Sequence, residues 1–302
     1  MSIIEAILLG VIQGLTEFLP VSSSGHLVLF QKIFGISGPA LFFDTMVHVG
    51  TLVAVFAVLW KDIWAILKKL NQPLTLYLII ATVPTVIAAL IFRKPLEKAF
   101  EEGNFLGFAF LATAALLIMA ELLAGRAAKM VQNRRPCRFC TLEFAVQTPD
   151  SKTAASMPPG MAEKNAGAMN WLDALVVGIM QAIAVIPGIS RSGATLSGAL
   201  SRGLNRDFAA RFSFILSIPA ILGAAVFQIK DLLKDTAAAE TASVGAAAVI
   251  AGTVSAAVAG FFAVRLMLKI VREKPLWGFA IYTGFLGLLV LIDQFGTHLV
   301  FT

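Results

Sequence analysis

The stretch Gly10-Val11-Ile12-Gln13-Gly14-Leu15-Thr16-Glu17-Phe18-Leu19-Pro20-Val21-Ser22-Ser23-Ser24-Gly25 aligns without gaps on Gly178-Ile179-Met180-Gln181-Ala182-Ile183-Ala184-Val185-Ile186-Pro187-Gly188-Ile189-Ser190-Arg191-Ser192-Gly193. Gly, Gln, Ser, Ser and Gly coincide. Each copy lies in an apolar, helix-forming segment, 2–35 or 171–201, that Pro, Gly and Ser break midway. Neither half of such a segment is long enough to cross a bilayer, which takes about 20 helical residues. Two short helices joined by a polar break read as a re-entrant hairpin, tolerated at membrane depth only where protein or a wet cavity surrounds it.

The chain around these hairpins is 58% hydrophobic and only 14% charged over 302 residues, with a mean hydropathy of +0.84. It is too apolar and too poor in charge for an ordinary soluble domain, so its solvent is lipid. Runs such as Phe105 to Ala120 are continuous, which fits helices and not the alternating strands of a membrane barrel. The expected fold class is all-α. It is a polytopic membrane protein with six transmembrane helices at about 42–60, 75–92, 104–125, 209–229, 245–264 and 276–297, plus the two hairpins.

Charge sorts the connections. Loop 61–74 carries Lys61, Lys68 and Lys69 against Asp62, and loop 126–170 carries seven basic residues against Glu143, Asp150 and Glu163. With 202–211 (Arg202, Arg206, Arg211) and 265–274 (Arg265, Lys269, Arg272, Lys274) they read as cytoplasmic, whereas 93–103 and 230–244 are balanced or slightly acidic. Alternation over six spans puts both termini outside, opens the first hairpin outward and the second toward the cytoplasm. Copies entering from opposite faces are the plan of inverted-topology repeats, whose broken helices meet near the midplane and build the site there. The expected division is a first repeat over 1–125, a cytoplasmic linker over 126–170 and a second repeat over 171–302.

Several function classes fall away. The net charge of +6 comes from residues at segment ends and not from one patch, so nucleic acid is not an expected partner. The N-terminus lacks a basic run and carries Gln13, Glu17 and Pro20 in its first apolar segment, which is expected to be retained and not cleaved. Cys137 and Cys140, the two cysteines, rule out a disulfide framework; without a second pair or a nearby His they are at best half of a four-ligand zinc site and read as reduced surface thiols.

An ionisable group inside a membrane segment is expensive, by at least ~2.5 kcal/mol at a helix centre, so Glu17 and Arg191 need an explanation. Gln13 and Glu17, four residues apart, share a helix face and could offer oxygens to Mg²⁺ or Ca²⁺, or merely hydrogen-bond the neighbouring hairpin. Ser22-Ser23-Ser24-Gly25-His26 places hydroxyls within a turn of an imidazole, so a serine nucleophile with a histidine base is one reading and helix capping the other. Arg191 opens a returning helix between Ser190 and Ser192, upstream of Thr195. A guanidinium at a helix N-terminus is a good phosphate receptor, although a plain ion pair with Glu17 would also account for it. Asp44 and His48, one turn apart near the outer end of a span, border the site or end the helix in the interface. Glu121 ends a span, and Asp173, Asp293 and His298 sit near helix ends and read as interfacial.

The segments 13–26 and 187–195 resemble the two signature motifs of bacterial undecaprenyl-diphosphate phosphatases, also called bacitracin-resistance proteins. The resemblance covers nearly the whole chain. It implies hydrolysis of undecaprenyl diphosphate to undecaprenyl phosphate and inorganic phosphate, which recycles the lipid carrier for cell-wall polymers, with a divalent cation, Mg²⁺ or Ca²⁺. By position it makes Glu17 the acidic residue, with Gln13 beside it at a site that is Glu or Gln in the family. Ser23 becomes the nucleophile and His26 a functional histidine whose role as base or alternative nucleophile is open. Arg191 becomes the diphosphate ligand, with Ser22, Ser24, Ser190, Ser192 and Thr195 around it. The implied location is a bacterial inner membrane, with the site facing the periplasm. The expected partners are the polyprenyl diphosphate lipid, the membrane and, as a candidate, a second copy of the chain. The rival class is a transporter or flippase using the same anion site, because inverted repeats with broken helices are also a transporter plan.

Overall fold

The structure, a computed structural model, describes residues 1–36, 41–92, 95, 103, 105–132, 166–232 and 244–301. Residues 133–165 of the linker, with Cys137 and Cys140, lie outside the described residues. No strand occurs among those described. The first half runs α1 (Ile3–Phe18), α2 (Ser23–Ile33), α3 (Leu41–Val58), α4 (Trp60–Lys68), α5 (Pro73–Ile91) and α6 (Leu106–Gln132). The second runs α7 (Trp171–Ile183), α8 (Arg191–Ser201), α9 (Arg206–Leu232), α10 (Ala246–Glu273) and α11 (Trp277–Ile292). Among the described residues, helices α5, α6, α9, α10 and α11 are long and apolar enough to cross a membrane, and the pair α3–α4, bent by 80°, brings the number to six when it is counted as one span.

Both hairpins form where the sequence breaks fall, as α1–α2 and α7–α8. Ser2 and Asn170 start them identically: each side chain accepts the N–H of a residue three on, Glu5 or Asp173, whose carboxylate accepts the cap N–H in return.

Two connections differ from expectation. Segment 61–74 is mostly helix: after an 80° bend at Leu59 the chain continues as α4. Its charges suggest a loop, but Ile63 and Ile66, three apart, are buried, while Trp60 stacks on Trp64 at 5.3 Å on the exposed side. That amphipathic pattern suits a helix laid across the end of the bundle. Segment 265–274 is likewise the last turns of α10, where Arg265 lies over the Phe261 ring at 4.2 Å.

Packing follows the repeat. The first helix of each hairpin lies against a span of the other half, α1 on α10 and α7 on α5, while α3 meets α9 and α6 meets α11. The aligned glycines permit this. A Cβ on Gly10 would stand 2.2 Å from the carbonyl oxygen of Gly252, and one on Gly178 2.5 Å from that of Ala81. Membrane helices lack a hydrophobic drive toward one another and rely on such close backbone approach. Gly178→Ala ordinarily helps a helix, by up to about 1 kcal/mol. Here it is expected to destabilise by about 1–3 kcal/mol through overpacking against backbone that cannot give way. A thermal midpoint in detergent that stays level or rises would contradict this packing.

The end of the bundle that carries Asp62 is tied by charge. Arg211 reaches Asp62 (2.6 Å) and Asp207 (3.0 Å), and Arg272 reaches Asp207 (2.6 Å). Glu121 and Asp173, both expected near helix ends, are buried against other parts of the protein. Arg206 holds Glu121 through both guanidinium nitrogens (2.7 and 2.9 Å) while Leu276 N–H donates to it, and Arg202 pairs with Asp173 at 2.8 Å. Sequence position near a helix end says nothing of whether a neighbour's arginine covers that end.

Candidate active site

Glu17 occupies the last turn of α1, with Gln13 one turn earlier on the same face; both are buried. Ser23 and Arg191 are the first residues of α2 and α8, so two helix N-termini, each a partial positive charge, face the same place. Their caps match: Ser22 Oγ accepts the Gly25 N–H (3.2 Å) and Ser190 Oγ that of Gly193 (3.0 Å). The breaks also lock together. Gly188 N–H donates to Ser24 Oγ (3.2 Å), and Ser192 Oγ–H donates to Leu19 O (3.0 Å).

Glu17 is the hub. Its Oε1 takes Arg191 at 2.5 Å, and its Oε2 accepts from Ser23 Oγ–H at 2.6 Å and Gln13 Nε2 at 2.7 Å. The ion pair anticipated as the plain explanation of Arg191 is therefore made. It uses one arm of the guanidinium: Arg191 NH1 is buried with no hydrogen-bond partner. The Arg191 side chain is also part of a cavity wall, which brings a guanidinium within reach of an anion there.

Beside these groups lies a cavity of about 300 Å³. Glu17, Ser23, Ser24, Asp44, His48, Ser190 and Arg191 form its polar wall. The second hairpin's break and Ala220, Ile221 and Ala224 of α9 form the apolar one. Of the remaining sequence candidates, Ser22 and Ser192 stand behind the wall as cap and tie. Thr195 is buried against Ser213 (2.5 Å) and Gln13 behind Glu17.

His26 lies elsewhere. Its Nδ1–H donates to Ser22 O (2.7 Å) and its Nε2 meets Tyr282 OH (2.8 Å), so the group in reach of the Ser23 hydroxyl is Glu17 and not this imidazole.

His48 and Asp44 come closer than the sequence reading had them. His48 Nδ1–H donates to Asp44 O (2.6 Å), which leaves Nε2 facing Glu17 Oε2 at 3.5 Å. Asp44 accepts from Gln31 of α2 at 2.7 Å. The available signal was a polar pair at i, i+4 in an otherwise apolar span, whose depth could not be told from its position.

The sequence model described as Bacitracin resistance protein BacA matches residues 6–289. The chain belongs to the BacA family. An undecaprenyl-diphosphatase of Carboxydothermus hydrogenoformans is 41% identical over 295 residues, 97% of this chain and 98% of that protein. Those of Halothermothrix orenii (35% over 294 residues) and Methanosphaera stadtmanae (34% over 314) are matched over 97% of this chain and 98% of their own length. In this BacA chain the two motifs shared between the halves thus supply one composite site: a carboxylate and a hydroxyl from one hairpin, a guanidinium from the other.

Proposed function

We propose that this chain is a membrane phosphatase that hydrolyses undecaprenyl diphosphate to undecaprenyl phosphate and inorganic phosphate, and so underlies bacitracin resistance. The relatives' names supply the substrate, and the partnerless NH1 of Arg191 beside the Ser23–Glu17 pair is the observation that carries the chemistry. The terminal phosphate enters the cavity against the Arg191 guanidinium and the N-termini of α2 and α8. Ser23 Oγ attacks its phosphorus while Glu17 Oε2 takes the hydroxyl proton, and the bond to the bridging oxygen breaks, releasing undecaprenyl phosphate. Water then attacks the phosphoserine, yielding phosphate and returning the Ser23 hydroxyl. Phosphoryl transfer needs positioning and charge neutralisation more than covalent machinery, which suits so small a set of groups. The prenyl tail stays among lipid and apolar helices, and only the headgroup needs the polar wall.

Among the described residues no three His, Cys, Asp or Glu gather as a metal cage. Mg²⁺ and Ca²⁺ are often held by one or two carboxylates together with substrate phosphates, and Glu17 and Asp44 on the cavity wall fit that arrangement. Such a cation would supply further neutralisation of the diphosphate. Asp44→Asn is accordingly expected to raise the half-saturating Mg²⁺ concentration about 10-fold while kcat at saturating Mg²⁺ is kept. An unchanged Mg²⁺ dependence would remove Asp44 from that role.

The site faces the outer side of an inner membrane. Arg211 belongs to the basic, cytoplasmic end, and Ala224, on the cavity wall, lies about 20 Å further along α9 at the helical rise. The direct test is phosphate release: purified protein in detergent with undecaprenyl diphosphate and Mg²⁺ or Ca²⁺ should liberate phosphate. Binding of the lipid with no release under either cation would favour carriage of a polyprenyl phosphate instead.

A further inference from the structure

The two hairpins turn in different ways. In the second, the positive φ needed at the break falls on Gly188 (φ 84°), and Ser190 has ordinary extended geometry (φ −66°). In the first, the residue aligned with Gly188 is Pro20, whose ring fixes φ near −65°. The reversal is displaced onto Ser22, at φ 72° and ψ 92°. A non-glycine residue there is strained, and such strain persists only where the surroundings impose it.

What imposes it is His26. Its backbone N–H (3.1 Å) and its Nδ1–H (2.7 Å) both donate to Ser22 O. The ring is fixed in turn. Tyr282 of α11 meets Nε2 at 2.8 Å and stacks on the ring at 13°, while Phe110 of α6 meets it edge-on at 5.4 Å. The residue aligned with His26 in the second hairpin, where glycine makes the turn without strain, is Ala194.

We propose that His26 and Tyr282 form a positioning pair that holds Ser22 in its positive-φ conformation and thereby aims the Ser23 hydroxyl at Glu17. The pair rests on the reading of Ser23 as nucleophile. A hydroxyl misplaced by a fraction of an ångström loses rate without losing substrate affinity, because the anion is held by Arg191 and helix N-termini.

The test is steady-state phosphate release by full-length variants, with binding of a methylene-bridged prenyl diphosphonate as the check on folding. His26→Ala is expected to lower kcat about 100-fold with KM unchanged. His26→Asn, whose amide nitrogen can stand where Nδ1 stood, recovers about 10-fold of that loss. Tyr282→Phe keeps the stack, loses the hydroxyl, and lowers kcat about 10-fold at constant KM. His26→Asn no better than His26→Ala, Tyr282→Phe equal to wild type, or phosphate trapped on His26 would each overturn the positioning role. Release retained by Ser23→Ala overturns the nucleophile reading instead, a different result from a dead Ser23→Ala with no rescue by asparagine.

Discussion

Arg191→Lys is expected to lower kcat/KM for phosphate release by about 10³-fold, although it keeps the positive charge. The guanidinium is a fork: one nitrogen is spent on Glu17 at 2.5 Å and the other waits without a partner. A lysine ammonium is a point charge on a flexible stem and cannot hold the carboxylate and a phosphate in a fixed relation. Steady-state release from undecaprenyl diphosphate decides it. A lysine variant keeping about a tenth or more of the wild-type rate would mean that only charge matters, not the two-armed geometry.

Glu17→Gln carries an effect as large, for a different reason. Glutamine can still accept from Ser23 but cannot take its proton, so kcat is expected to fall by up to about 10⁴-fold. Arg191 is also left buried without its counter-charge, a loss of about 3–5 kcal/mol of stability. The two effects separate in a double variant. Glu17→Gln with Arg191→Met should regain stability by thermal unfolding while remaining inactive. Full activity in Glu17→Gln would show that another group takes the serine proton.

The spans and the hairpins could be read from sequence because their physics is local. Hydropathy fixes a span, and Pro20, Gly188 and the serines fix a break. What could not be read depends on which neighbour a side chain meets. The burial of Glu121 and Asp173 could not be foreseen because nothing local announces Arg206 or Arg202. Segment 61–74 looked like a loop because Lys61, Asp62, Lys68 and Lys69 outweigh the two buried isoleucines of α4. His26 looked like a base because it lies three residues from Ser23. Its two ring nitrogens are instead engaged by Ser22 O and Tyr282, while Ser23 meets Glu17. Asp44 and His48 were visible as residues and not as wall, since depth in a bilayer is a property of the assembled bundle. Arg191 and Glu17 were the readable part of the site, because a charge placed in lipid demands a reason.

The exchange of partners between the halves, α1 against α10 and α7 against α5, also sets a timetable. During synthesis Gly10 leaves the ribosome about 240 residues before Gly252, the residue it must touch. At about 5–20 residues per second that interval is roughly 10–50 s. For about 170 of those residues Glu17 has no Arg191, and for the whole interval α1 lacks the face of α10 on which it packs. A half-made chain therefore presents an ionisable, unsupported segment to whatever machinery inserts it.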